Sequence, residues 1–348
     1  MSILWLGLIA AIAVVFLIAH CYLYRGLRIT LTFFISCFIW SIVKENAIYY
    51  IESFMLRSRP PYEIFNPGIS IFHASLVVCI GWLFTLYASW SLAEGILKKI
   101  EFFSGKLFPT LLFGGLIASS MSYCVEATGI AVGWWHWTRR DIRLAGFFEG
   151  VPLSPLEGWF FMFMVFMVPY FLIECSKYRI KQWKYLFILP SLFYFTMRVS
   201  ANYALAMIAE CLAIMLILYL SLKNRLLLID HYQFCPNKNS RGAHFMQKIP
   251  FFMVLLMLMV MIFVDLKIAK RPELLISTLP ITIFILIYFL NNFLNGIFLL
   301  IFAVSFFGGK KFSILIVPVI TFLAFFIISK FLIKQLHKNF FNEKGLAK

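Results

Sequence analysis

Acidic side chains are scarce in this chain. Aspartate and glutamate together number 15 in 348 residues, against 31 lysines and arginines, and only 13% of all residues are charged. Soluble domains carry roughly 25% charged residues, so a freely soluble globular protein is excluded. Period-two alternation of polarity is also lacking. Apolar residues come in unbroken runs, which excludes a transmembrane β-barrel. The 7 cysteines stand singly, with no paired spacing, so neither a disulfide framework nor a zinc site is expected and they read as small core hydrophobes. There is no histidine-rich box, no aspartate-rich diphosphate motif and no glycine-rich dinucleotide loop. No metal and no redox cofactor is therefore expected.

What the chain has in abundance is hydrocarbon. Hydrophobic residues make up 62% and the mean hydropathy is +0.91. Many runs approach or exceed 18 apolar residues, enough to cross a bilayer. The expected fold class is all-α: a polytopic helical membrane protein of about ten spans (nine to eleven), near 3–24, 29–52, 69–93, 108–130, 156–174, 185–201, 203–222, 251–269, 274–290, 293–308 and 312–333. The first run, Ile3 to Tyr24, has no basic leader before it and is followed by Arg25 and Arg28, which reads as a retained span.

The net charge of +16 sits mainly in short inter-helix loops and at the C-terminus. That is where topology selection places it, so the expected partner is anionic lipid and not nucleic acid. The expected location is integral and multi-pass in the cell inner or plasma membrane. With the N-terminus outside, the loops at 53–68 and 131–155 share one face. The longest hydrophilic segment, Lys223 to Lys248, divides an expected catalytic part, 1–249, from a C-terminal helical appendage, 250–348. The sequence leaves oligomeric state open.

Intramembrane acids are costly and usually serve a task. Lys44-Glu45-Asn46, Tyr49 and Glu52 lie near the end of the second span, with Glu45, Tyr49 and Glu52 on one helical stripe. Adjacent positions point to different sides of a helix, so Lys44 is not required to neutralise Glu45. A lone His73 with Trp82 follows in the third span, where it reads as a core residue. The densest chemistry lies between 126 and 159: Glu126, Gly133, Trp134-Trp135-His136-Trp137, Arg139-Arg140, Glu149-Gly150-Val151-Pro152-Leu153 and Glu157-Gly158-Trp159. Trp134 alone reads as an interfacial aromatic. A faint internal repeat joins the two regions: helix with acid, outer loop, glycine, then helix with tryptophan (Glu45 to Trp82, Glu126 to Trp159).

Counting from Glu126, Gly133, Trp135 and Trp137 give an acid followed by G-x-W-x-W, then Gly-Val-Pro-Leu and Gly158-Trp159. This pattern resembles the carotenoid-biosynthesis membrane protein family that includes the carotenoid end-group hydratases (the gamma-carotene and bisanhydrobacterioruberin hydratases), over roughly residues 40 to 175. The family has Asp where this chain has Glu126 and Asn where it has Pro155, and its Phe-Gly after the first-half proline is missing here. The resemblance implies a hydro-lyase acting on a hydrophobic polyene or isoprenoid.

The residues support that chemistry independently. Hydrating an isoprenoid double bond needs an acid to protonate carbon, and a carboxyl group kept from water favours its proton-donating form. Indole faces tolerate a nearby cation and line an apolar tunnel. The expected roles are Glu126, Glu45 and Glu149 as acid and water-orienting carboxylates, with Trp135, Trp137, Trp159, Trp82 and Tyr49 binding substrate. The same parts would serve a proton-initiated polyene cyclase or isomerase. A transporter or lipid flippase with a polar path through Lys44, Glu45, Glu126 and Arg198, or a membrane assembly factor, are the readings from other classes.

Overall fold

The computed structural model describes residues 3–50, 62–65, 67–98, 107–137, 153–174 and 248–290. They fall in one compact unit of the chain, Met1–Ile180 with Ile229–Asn292. In order, the elements are α1 (Ile3–Arg25), α2 (Leu27–Tyr50), β1 (Tyr62–Ile64), β2 (Ser70–Ile71), β3 (Ala74–Ser75), α3 (Leu76–Leu97), α4 (Leu107–Ala131), β4 (Trp135–Trp137), α5 (Leu153–Glu174), α6 (Ile249–Phe263), a π-turn (Val264–Ile268), a 3-10 helix (Pro272–Thr278) and α7 (Leu279–Leu290). The described chain is mostly helical, as expected. Five of its helical stretches are long and apolar enough to cross a membrane: Ile3–Arg25, Leu27–Ala47, Leu76–Leu97, Pro109–Ala131 and Ile249–Ile268. The expected spans at 185–201, 203–222, 293–308 and 312–333 lie outside the described residues.

Exposure follows the logic of a lipid solvent. On α2, Leu27, Leu31, Ile35, Ile39 and Val43 recur every fourth residue and are all exposed, while Phe33, Cys37 and Ser41 on the opposite side are fully buried. An outward row of aliphatic side chains on a water-facing helix would be a large unfavourable surface; against acyl chains it costs nothing. That is the surface of a membrane protein.

The helix interior is built on aromatic rings and small residues. Phe33, Tyr87, Trp90, Phe166 and Tyr170 form a nest of ring contacts, most of them edge-on, between α2, α3 and α5. Gly114 and Gly115 let α5 lie against α4, since a Cβ at either would come within 2.3 and 2.7 Å of Phe163 and Phe160 respectively. The four described cysteines, Cys21, Cys37, Cys79 and Cys124, are free and buried, as small core hydrophobes should be. α6 packs on α1 and α3, and α7 on α4 and α3. This part of the expected C-terminal appendage thus belongs to the same compact unit as residues 1–180.

The third span departs from expectation at its start. Residues 70–75 do not open a helix; they form a tight hairpin, with Ser70 opposite Ser75 and Ile71 opposite Ala74. Gly68 (φ 69°) and Phe72 (φ 55°) take left-handed backbone that a helix start does not allow. His73 therefore sits exposed on a turn, with its ring stacked 3.5 Å from that of Tyr49, and is not a core residue of a helix.

The described parts of the two loops expected on one face meet each other. β1 pairs antiparallel with β4, Tyr62 opposite Trp137, Glu63 opposite His136 and Ile64 opposite Trp135. A three-residue ladder thus ties the loop after α2 to the loop after α4.

Candidate functional site

Glu126 lies near the C-terminal end of α4, 5% exposed. The chain after it turns back sharply through a glycine cap. Gly133 takes φ 70°, its N–H donates to the Ile130 carbonyl (3.1 Å), and the Trp134 N–H donates to Gly129 (2.8 Å). This is the Schellman arrangement, which needs a left-handed residue after the helix and is cheapest with glycine. The reversal sends β4 back alongside its own helix. Because strand side chains alternate, Trp135 and Trp137 face Glu126 together, while His136 points away toward Glu63 (3.5 Å). The W-x-W spacing is thereby explained.

Three indole N–H groups converge on the Glu126 carboxyl. Trp135 and Trp137 donate to Oε2 at 2.9 and 3.0 Å, and Trp159 of α5 donates to Oε1 at 3.2 Å. All three donors are neutral, and among the described residues no cationic side chain is ion-paired with Glu126. The indoles present their N–H edges to the acid, a positioning role that the expected cation-tolerant wall did not include. Gly129 makes the arrangement possible, because a Cβ there would stand 2.3 Å from the Trp135 ring.

Glu45 is the counterpart on α2, also 5% exposed. Its Oε1 accepts from Trp82 Nε1 at 3.0 Å and from the Lys44 ammonium, and its Oε2 accepts from the Tyr62 hydroxyl. The expectation that Lys44 need not neutralise Glu45 is corrected: they form an ion pair. Neighbouring positions do leave a helix in different directions, but a lysine stem is long enough to curl back. The same ammonium lies 4.2 Å from the Trp82 ring centroid, so it already occupies an indole face.

The internal repeat becomes visible in three dimensions. Trp82 and Trp159 are each the seventh residue of their helix. Each donates to the acid of the preceding helix, and the two rings meet at 5.2 Å. At one register position of the ladder, Tyr62 serves Glu45 and Trp137 serves Glu126, with their rings 5.2 Å apart. Tyr62 is the residue that sequence reasoning missed. In the sequence it follows Pro60-Pro61 and belongs to the part of the resemblance that precedes the third span, but the resemblance gives it no role, and nothing local shows that it pairs with residue 137. Burial, with Glu45 and more weakly Glu126 adding to it, pushes the Tyr62 phenol well above its ordinary value, so it stays a donor.

Of the other expected residues, Tyr49 stacks on His73 and is not among the donors to either carboxyl. Trp134 is 2% exposed and packed inside the protein, so the interfacial reading of it is corrected. Glu149, Glu52, Arg139, Arg140 and Arg198 lie outside the described residues. No group of three or more His, Cys, Asp or Glu that could hold a metal ion occurs among the described residues.

Comparison with protein-family models, with curated proteins and with solved structures finds no match to the chain.

Proposed function

We propose that the chain is a multi-pass enzyme of the cell inner or plasma membrane that adds water across a terminal double bond of an isoprenoid or carotenoid. The observation that supports this reading best is the unequal pair of buried carboxyl groups. Both are held by indole N–H donors, but among the described residues Glu45 has an ion-paired ammonium while the hydrogen-bond donors to Glu126 are neutral. Pairs of carboxyl groups in unlike surroundings are how one site supplies an acid and a base together.

In the proposed reaction Glu126 gives its proton to the terminal-side alkene carbon, and the π electrons form the new C–H bond. The tertiary cation left behind is met by the oxygen of a water molecule. Glu45, held by Lys44, Trp82 and Tyr62, takes the proton that this water loses. Glu45 then releases its proton to solvent and Glu126 takes one up, which resets the pair, and the net change is the addition of H and OH without oxidation. Since Lys44 covers one face of Trp82, the surface left to tolerate the cation falls to Trp159 and Trp137. Glu149, expected as a third carboxylate, keeps its place in the proposal through the sequence alone. Protonation without capture of water would instead start a cyclisation or an isomerisation.

The test is the lipid extract of cells supplied with an acyclic carotenoid, with and without the protein. Gain of one water mass in a polyene is the expected result. Glu126→Gln should lower that product by about 10²-fold or more, the usual worth of a general acid. If no polyene changes but uptake of a solute does, the reading fails and the transporter takes its place.

A further inference from the structure

One buried acid has no part in that chemistry. Asp265 is fully buried in the π-turn that ends α6. Its Oδ1 accepts a hydrogen bond from Thr128 Oγ1 of α4 at 2.8 Å, while Oδ2 is buried with no partner. An orphan oxygen of this kind is costly in either protonation state. As a carboxylate it lacks a donor or a counter-charge, and as an acid it lacks an acceptor for its own proton. No basic side chain among the described residues is ion-paired with Asp265. Arg271, the nearest arginine in sequence, is bound to Glu273 at 2.7 Å, and among the described residues it is this second acid, Glu273, whose charge reaches Asp265.

The backbone adds to the same polarity. α6 ends here, and a helix C-terminus carries the negative end of the peptide dipole. The chain then runs through a π-turn, a left-handed Lys270 (φ 54°) and a 3-10 helix before α7 begins. Interrupted helices of this type supply oxygen ligands to small cations in membrane proteins. Ser277 Oγ, a second buried and unpartnered oxygen, lies on the 3-10 helix, which packs against both α4 and the π-turn.

We propose that Asp265, with Thr128 beside it, is the anchor of a binding site for a small alkali cation, sodium or lithium. One carboxylate with a threonine hydroxyl beside it, an all-oxygen pair, matches a hard monovalent ion. A divalent or transition metal would call for more charge or nitrogen and sulfur ligands. The site does not depend on the hydration reading. Thr128 is two residues beyond Glu126 and so lies on the other side of α4.

The experiment is thermal unfolding of the full-length protein, purified in detergent, in NaCl, LiCl or KCl against N-methylglucamine chloride at constant ionic strength and pH. Sodium or lithium should raise the midpoint saturably, by at least about 3 °C. Asp265→Asn should abolish the rise, Thr128→Ser should keep it, and Glu126→Gln should leave it unchanged. Identical midpoints for the wild-type protein in all four salts would overturn the proposal. So would a midpoint that follows pH alone, or a rise that survives in Asp265→Asn. Each of these outcomes is independent of whether any polyene is hydrated.

Discussion

Gly129 shows how much of the site hangs on a missing atom. An alanine methyl there would stand 2.3 Å from the Trp135 ring, and the indole would have to leave Glu126 to make room. Gly129→Ala should cost about 1–3 kcal/mol of stability, the usual range for overpacking. Its product yield in the polyene assay should fall to that of Trp135→Phe. Unfolding midpoints and product yields of the two variants check this together. At this scale the sequence is readable in one direction. The spacing of Trp135, Trp137 and Trp159 from Glu126 marks the four as one group, but the strand that turns Trp135 and Trp137 together toward the acid is three residues long and leaves no periodic signal in the sequence. The sequence does not show that the indoles would meet the acid through their N–H edges, nor that Lys44 would fold back on Glu45. Those outcomes depend on rotamers set by neighbouring helices.

Between elements, α1 and α3 are joined by a buried charge cluster distant in sequence from the carboxyl pair. Arg25, the last residue of α1, forks onto both oxygens of Glu94 at 3.2 and 2.7 Å, with its guanidinium 3.7 Å from the Trp90 ring centroid. Tyr87 accepts from Arg25 Nε at 3.3 Å and meets His20 Nδ1 at 2.8 Å. Removing one partner of a buried pair leaves the other uncompensated, so Arg25→Met should destabilise by about 3–5 kcal/mol. Arg25→Lys, which keeps charge but loses the fork, should fall between Met and wild type in denaturant unfolding. In sequence Arg25 reads only as a positive flank after a span. Its partner is 69 residues away and no local pattern points to it. The hairpin at 70–75 is hidden for a related reason: Ile69 and Ile71 merge with the apolar run of α3, and hydropathy does not distinguish two short strands from a first helical turn.

Over the whole molecule, the existence of the helices is the part most legible from composition, since twenty apolar residues have few alternatives. Which side of each helix meets lipid is less so, because helices apolar all round carry little directional signal. The structure resolves this on α2, and nitroxides at positions 31, 35 and 39 should collide freely with oxygen in bilayers while those at 33, 37 and 41 stay immobile. Equal oxygen access at both sets would mean that the outward row of α2 is covered by something other than lipid. The ladder between β1 and β4 has a consequence for biogenesis. When Ile64 is added to the growing chain its partner Trp135 is still 71 residues from being made. At about 5–20 residues per second, that is a wait of several seconds. Throughout that interval the first acid is already beside a counter-ion, since Lys44 is the residue translated immediately before it. The second acid has no cationic residue next to it in the sequence, and is made only nine residues before the first of the rings that receive it.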